Sequence, residues 1–145
     1  MMRAPGAHSP QHRVINEFRA NAGRVGGYFT HMPLLLLSTL GARSGMHHTT
    51  PLAYMSDGDS YVVVAANAGA PRHPDWYHNL AAAPGATVEV GTEICEVTAV
   101  VETGARREEL FRRFAEGSPQ GDLYQAATTR EIPVISLIPV RDPAS

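Results

Sequence analysis

Two turn signals restrict what this chain can fold into. Asp57-Gly58, inside Ser56-Asp57-Gly58-Asp59, runs straight into the β-branched and aromatic stretch Ser60-Tyr61-Val62-Val63-Val64-Ala65, the pattern of a tight hairpin between antiparallel strands. Gly91-Thr92 likewise separates residues 87–90 from residues 93–101, where Cys95, Val97, Ala99 and Val101 alternate onto one face. Upstream, Met32-Pro33-Leu34-Leu35-Leu36-Leu37 is far shorter than the roughly 20 residues of a membrane span and reads as a buried strand extending to Leu40. After residues 41–48 a second extended segment covers 49–55, and residues 132–138 form a last strand, with Pro133 tolerated only near its start or on an edge. Helices are expected over 14–25, stopped by Gly26-Gly27, over 74–83, ended by Pro84-Gly85, and over 106–115. The resulting order is helix, three strands, helix, two strands, helix, strand. It lacks the alternation of a doubly wound sheet and predicts a mostly β, antiparallel α+β fold, a barrel or a sandwich.

The chain has 145 residues, 43% of them hydrophobic, which suits one domain with a real core. That domain is expected over residues 14–140, with flexible tails at 1–13 and 141–145. A net charge of −2 gives no general electrostatic reason to bind nucleic acid. All twelve cationic residues are arginine, so any anion would be gripped by planar guanidinium forks. Cys95 is the single cysteine, which fits a reducing cytoplasm. Residues 1–11 hold no apolar core of signal-peptide length.

Two segments carry the character of a binding site. Gly41-Ala42-Arg43-Ser44-Gly45 lies between expected strands, where glycines allow close backbone approach and Arg43 and Ser44 can donate hydrogen bonds to a phosphate. It is not a Walker loop, and a plain hairpin loop with a solvated arginine fits these residues equally well. Residues 65–77 run as small-residue backbone from a strand to a helix start, a place for unpaired N–H groups beside Arg72. Trp76 and Tyr77 fit the core better than catalysis, and Cys95 fits the core as a small hydrophobe. Seven histidines include no pair with metal-ligand spacing, so no metal is expected. On a strand, His47 and His48 point opposite ways. With neither a catalytic triad nor a carboxylate pair, the chemistry is expected to come from a cofactor.

Read in order, Leu40-Gly41-Ala42-Arg43-Ser44-Gly45, Thr50-Pro51-Leu52, residues 57–65, Gly69-Ala70-Pro71-Arg72-His73-Pro74-Asp75-Trp76-Tyr77-His78-Asn79-Leu80 and Thr129-Arg130-Glu131-Ile132-Pro133-Val134 resemble the deazaflavin-dependent nitroreductase family. The most specific part is Pro-x-His-Pro-x-Trp-Tyr-x-Asn-Leu. The resemblance implies a split β-barrel of the flavin-reductase kind and a coenzyme, the 8-hydroxy-5-deazaflavin F-420, with a phospholactyl-oligoglutamate tail. It implies hydride transfer from the reduced deazaflavin to a small acceptor, a quinone or a nitro-compound. Arg43, Ser44 and Arg72 would face the phosphate and acidic tail, with Gly45, Thr50 and Pro51 beside them. Ala65, Ala66, Asn67, Ala68, Gly69, Ala70 and Pro71 would line the deazaflavin ring, Trp76 would shape the cleft, and Tyr124 would lie over the acceptor. Ala66 and Asn67 depart from the Ser and basic residue of many members. Alternatives on the same fold are an FMN-dependent reductase and a non-catalytic carrier of the coenzyme or of a lipophilic ligand. A homodimer and peripheral membrane contact of the N-terminal segment remain open.

Overall fold

Leu34-Leu35-Leu36-Leu37 is apolar at every position, so a strand built from it needs cover on both faces. In the computed structural model, which describes residues 10–25, 33–42, 44–66, 72–117 and 131–140, β1 (Leu34–Leu40) has both. Leu35 and Leu37 join an inner core with Val63, Val88, Val97, Ile135 and Leu137. Leu34 and Leu36 lie on the opposite face, against Ile15 and Phe18 of α1 (Pro10–Ala20). Those apolar side chains of α1 are thereby committed to the sheet. Next come β2 (His47–Ala53), β3 (Met55–Asp57), β4 (Ser60–Val64), α2 (Asp75–Ala82), β5 (Gly85–Val90), β6 (Glu93–Glu102), α3 (Gly104–Gly117) and β7 (Val134–Pro139).

The strands form one sheet in the order β2-β1-β5-β6-β7-β4-β3, every pair antiparallel. Its two ends, β2 and β3, are consecutive in the chain and separated by Tyr54 alone, so the sheet must curl until its first and last strands meet at a corner. The result is a split β-barrel, as expected. The single strand expected at 49–55 is therefore two. Ala53 still pairs with Leu34, whereas Met55 already pairs with Val62 of β4, at the other end of the strand order. At the corner the Tyr54 N–H donates to the Pro33 carbonyl at 3.2 Å, and its ring meets Tyr61 edge-on at 5.5 Å between centroids. Pro51 lies in β2, which has a sheet neighbour on one side only, the setting where a strand tolerates a residue without an N–H.

The helices sit on this frame at three places. α2 sends Trp76 and Leu80 into the inner core. Leu110 and Phe111 of α3 cover Val62, Val134 and Ile132 on the outer face. Arg106 and Arg113 of α3 both grip Asp57 at the end of β3, Arg113 at 3.1 Å. The neighbouring Arg107 is buried, donates to the Ile132 carbonyl, pairs with Glu108 and Glu131 at 3.0 and 3.3 Å, and lies over the Phe111 ring. α1 starts at Pro10, ahead of its expected first residue, and ends before the anticipated Gly26-Gly27. Ala22 and Gly23 take left-handed φ values of 55° and 92°, and the Gly23 N–H reaches back to the Phe18 carbonyl at 2.8 Å, the bonding of a Schellman stop.

Gly23 also touches the β5–β6 turn, where a Cβ on it would stand 2.8 Å from the Gly91 Cα. Arg19 and Glu89 hold the same two elements together through bonds of 2.8 and 3.1 Å. Gly23→Ala combines a strained φ with a backbone clash and is expected to destabilise by more than about 2 kcal/mol. Gly91→Ala meets nothing closer than 4.0 Å and should cost about 1 kcal/mol; denaturant melts of both variants check the order.

The paired arginines Arg113 and Arg106 hold the Asp57 carboxyl below its ordinary range. A carboxyl lowered on folding stabilises the fold above its unfolded value, near 4, and loses that contribution as pH falls through the lowered folded value. Asp57→Asn should therefore melt a few degrees below the parent at neutral pH, with the gap closing below about pH 4. A gap that stays constant down to pH 2 would contradict the clamp.

Candidate active site

Beyond Leu40 the chain makes a compact loop before β2. The Gly41 N–H donates to the Met46 carbonyl at 2.7 Å, and the Gly45 N–H to the Gly41 carbonyl at 3.0 Å. The Ser44 hydroxyl accepts from the Met46 N–H at 3.2 Å and lies 3.3 Å from His48 Nε2. A Cβ on Gly41 would stand 2.5 Å from the Ser44 Oγ and 2.9 Å from that same His48 nitrogen, so a larger residue there would displace these two side chains. Ser44 and Gly45 remain exposed, available to a ligand.

The loop is tied to α2 through Asn79, a polar residue only 8% exposed. Its Oδ1 accepts the Ala42 N–H at 3.0 Å, and its Nδ2 donates to the Thr39 Oγ1 at 3.1 Å. Thr39 is itself buried. Register explains why these groups meet. Leu37 pairs with Thr50 and Thr39 with His48, and cross-strand partners share a face, so Thr39, His48 and Thr50 lie on the face that Leu37 gives to the inner core. Pro51 pairs with Leu36 and lies on the α1 side. Thr50 and Pro51 therefore present their side chains to opposite faces of this edge strand.

The second segment enters from β4. Ala65 is fully buried in the inner core beside Trp76, while Ala66 is buried on the α3 side with Ile132 and Leu110. The Ala65 N–H donates to the Pro133 carbonyl at 2.9 Å, so this first residue of segment 65–77 is paired within the sheet. Arg72 is exposed, shortly before Pro74 caps α2 with no side-chain bond. Trp76 is a packed wall and not an exposed ring. His73, Tyr77 and His78 form a ring cluster, with His73 and Tyr77 4.8 Å apart. Cys95 packs against the inner core, as expected.

Segments far apart in sequence, 39–50, 65–66 and 72–79, thus converge at one end of the barrel. Arg43, Asn67, Ala68, Gly69, Ala70, Pro71 and Tyr124 lie outside the described residues. Among the described residues no group of three His, Cys, Asp or Glu side chains is placed to hold a metal ion, and no helix is long and apolar enough to cross a membrane.

Residues 11–139 match the family described as F420H(2)-dependent quinone reductase. The chain belongs to this family. An F420H(2)-dependent quinone reductase of Mycobacterium tuberculosis is 39% identical over 124 residues, 83% of each chain. A solved F420-H2 dependent reductase superposes with a TM-score of 0.67 at 35% identity, covering 72% of this chain and 93% of its own. A solved structure described as a domain-swapped dimer gives 0.69 at 30% identity, covering 87% and 94%. The family is one of oxidoreductases, and its coenzyme is the deazaflavin F-420. Asn79, Thr39 and His48 were not picked out as site residues by sequence reasoning. The signal for Asn79 was present, since it stands inside the Trp-Tyr-x-Asn-Leu stretch, polar on a helix whose neighbours Trp76 and Leu80 face the core.

Proposed function

We propose that this chain binds reduced F-420 at the α2 end of the barrel and reduces a small acceptor, a quinone or a nitro-compound. The observation that carries the reading is the tie between loop 41–45 and α2, which puts exposed Ser44 and Gly45 at one site with α2 in a chain of this quinone reductase family. The donor set suits the group. A phosphate and an acidic tail call for arginine forks and hydroxyls, and Arg43, Ser44 and Arg72 would hold them. Gly45, Thr50 and the backbone at Pro51 would flank the tail, and residues 65–71 would line the ring, with Trp76 packed beneath. The bound coenzyme supplies hydride chemistry at C5 of its ring. The protein contributes placement and charge stabilisation at the acceptor, and Tyr124 would cover the acceptor and offer it a hydroxyl. One unit over residues 14–140 would do this, in a reducing cytoplasm. A second copy of the chain is the partner that fits a relative described as a domain-swapped dimer and the exposed Val100 and Ile138.

Titration of the purified protein with reduced F-420, with FMN and with NADPH tests the coenzyme. F-420 should bind and drive menadione reduction, while NADPH, for which the sequence holds no Gly-x-Gly-x-x-Gly unit, should not replace it. Tight binding with no turnover of any quinone or nitro-compound would make the protein a carrier instead.

Tyr124→Phe should leave F-420 affinity unchanged and lower acceptor reduction by on the order of 100-fold, the usual scale for a lost proton donor. Normal turnover by a well-folded Tyr124→Ala variant removes this residue from the mechanism.

A further inference from the structure

We propose that Asn79 is a positioning residue for coenzyme binding, one that sets loop 41–45 in the shape that receives the anionic tail by holding the Ala42 amide. The inference rests on the reading of the site given above and deepens it. Asn79 is buried between Trp76 and Leu80, where an apolar side chain would satisfy packing alone. A buried carboxamide is tolerated when both of its ends are bonded, and both bonds here leave the helix. One goes to the Ala42 amide at 3.0 Å and the other to the Thr39 hydroxyl at 3.1 Å. The carboxamide therefore contributes to the register between α2 and the loop, not to α2 itself.

The pairing of Leu40 with His47 and the bond from Gly41 to Met46 root the loop in the β1–β2 wall, and Ser44 leans on His48 of β2. The bond from Asn79 adds the tie to α2, and it acts on the residue directly before Arg43. With both polar ends engaged by protein and little surface exposed, Asn79 works through the loop and does not touch the ligand.

The test compares the parent with Asn79→Leu in titrations with F-420 and with the tailless deazaflavin ring, alongside thermal melts. Leaving the Ala42 amide without its acceptor should raise the F-420 dissociation constant about tenfold, leave binding of the tailless ring within about twofold, and change little the rate of menadione reduction at saturating coenzyme. A role in stability alone would lower the melting temperature and move both ligands together or neither. Thr39→Val removes the acceptor of Nδ2 at similar volume, and should show a smaller loss selective for the tail. It serves as the decisive variant if Asn79→Leu does not fold. Parent-like F-420 binding by a folded variant, or equal loss of both ligands, overturns the proposal. A parent protein that binds no F-420 overturns the reading of the site itself.

Discussion

At Tyr54 the chain leaves one end of the sheet and enters the other. Ala53 is paired to Leu34 and Met55 to Val62, strands that stand near opposite ends of the order. A single residue thus converts an open antiparallel sheet into a barrel whose wall turns inward on a common core. The consequences spread from there. Odd-numbered positions of β1 face that core, even-numbered ones face α1, and the four-leucine run is satisfied on both sides at once. Among the described residues, α1 and α3 cover apolar stretches of the outer wall and α2 closes the inner core at the barrel end.

The end of the barrel covered by α2 is where the packing changes character. Leu35 and Leu37 give way along β1 to Thr39, and Trp76 and Leu80 of α2 flank Asn79. A polar pair buried beside such a core is stable because each group meets the other or a backbone amide. The loop that starts two residues after Thr39 inherits this constraint. The candidate site consequently lies where the inward-facing leucines of β1 give way to Thr39, at the transition from core to rim.

Much of this was legible in the sequence. Hairpins at Asp57-Gly58 and Gly91-Thr92, the buried strand of leucines and the packing of Cys95 against the core follow from local pattern, because turn chemistry and alternation act over a few residues. The break at Tyr54 was not legible, since nothing in residues 49–55 marks a change of strand partner that only the closed sheet imposes. Nor was the end of α1: Gly26-Gly27 is the stronger stop signal, yet the helix ends earlier, in the left-handed turn at Ala22 and Gly23, where Gly23 packs closely on Gly91. At the site, the importance of residues 41–45 and 72–79 could be read from composition and resemblance. The bond that joins them spans Ala42 to Asn79, and no local rule addresses a contact of that range. The bond from the Ala65 N–H to the Pro133 carbonyl is hidden for the same reason.

A barrel that closes through a corner, and not through a seam of hydrogen bonds, still has two strand margins facing outward. Both are poor templates for another chain. β3 is three residues long, and β2 carries Pro51 with two exposed histidines at its start, features that interrupt edge-to-edge pairing. The gap in the wall therefore does not invite fibrillar stacking, and the fold can remain split without being adhesive along these margins.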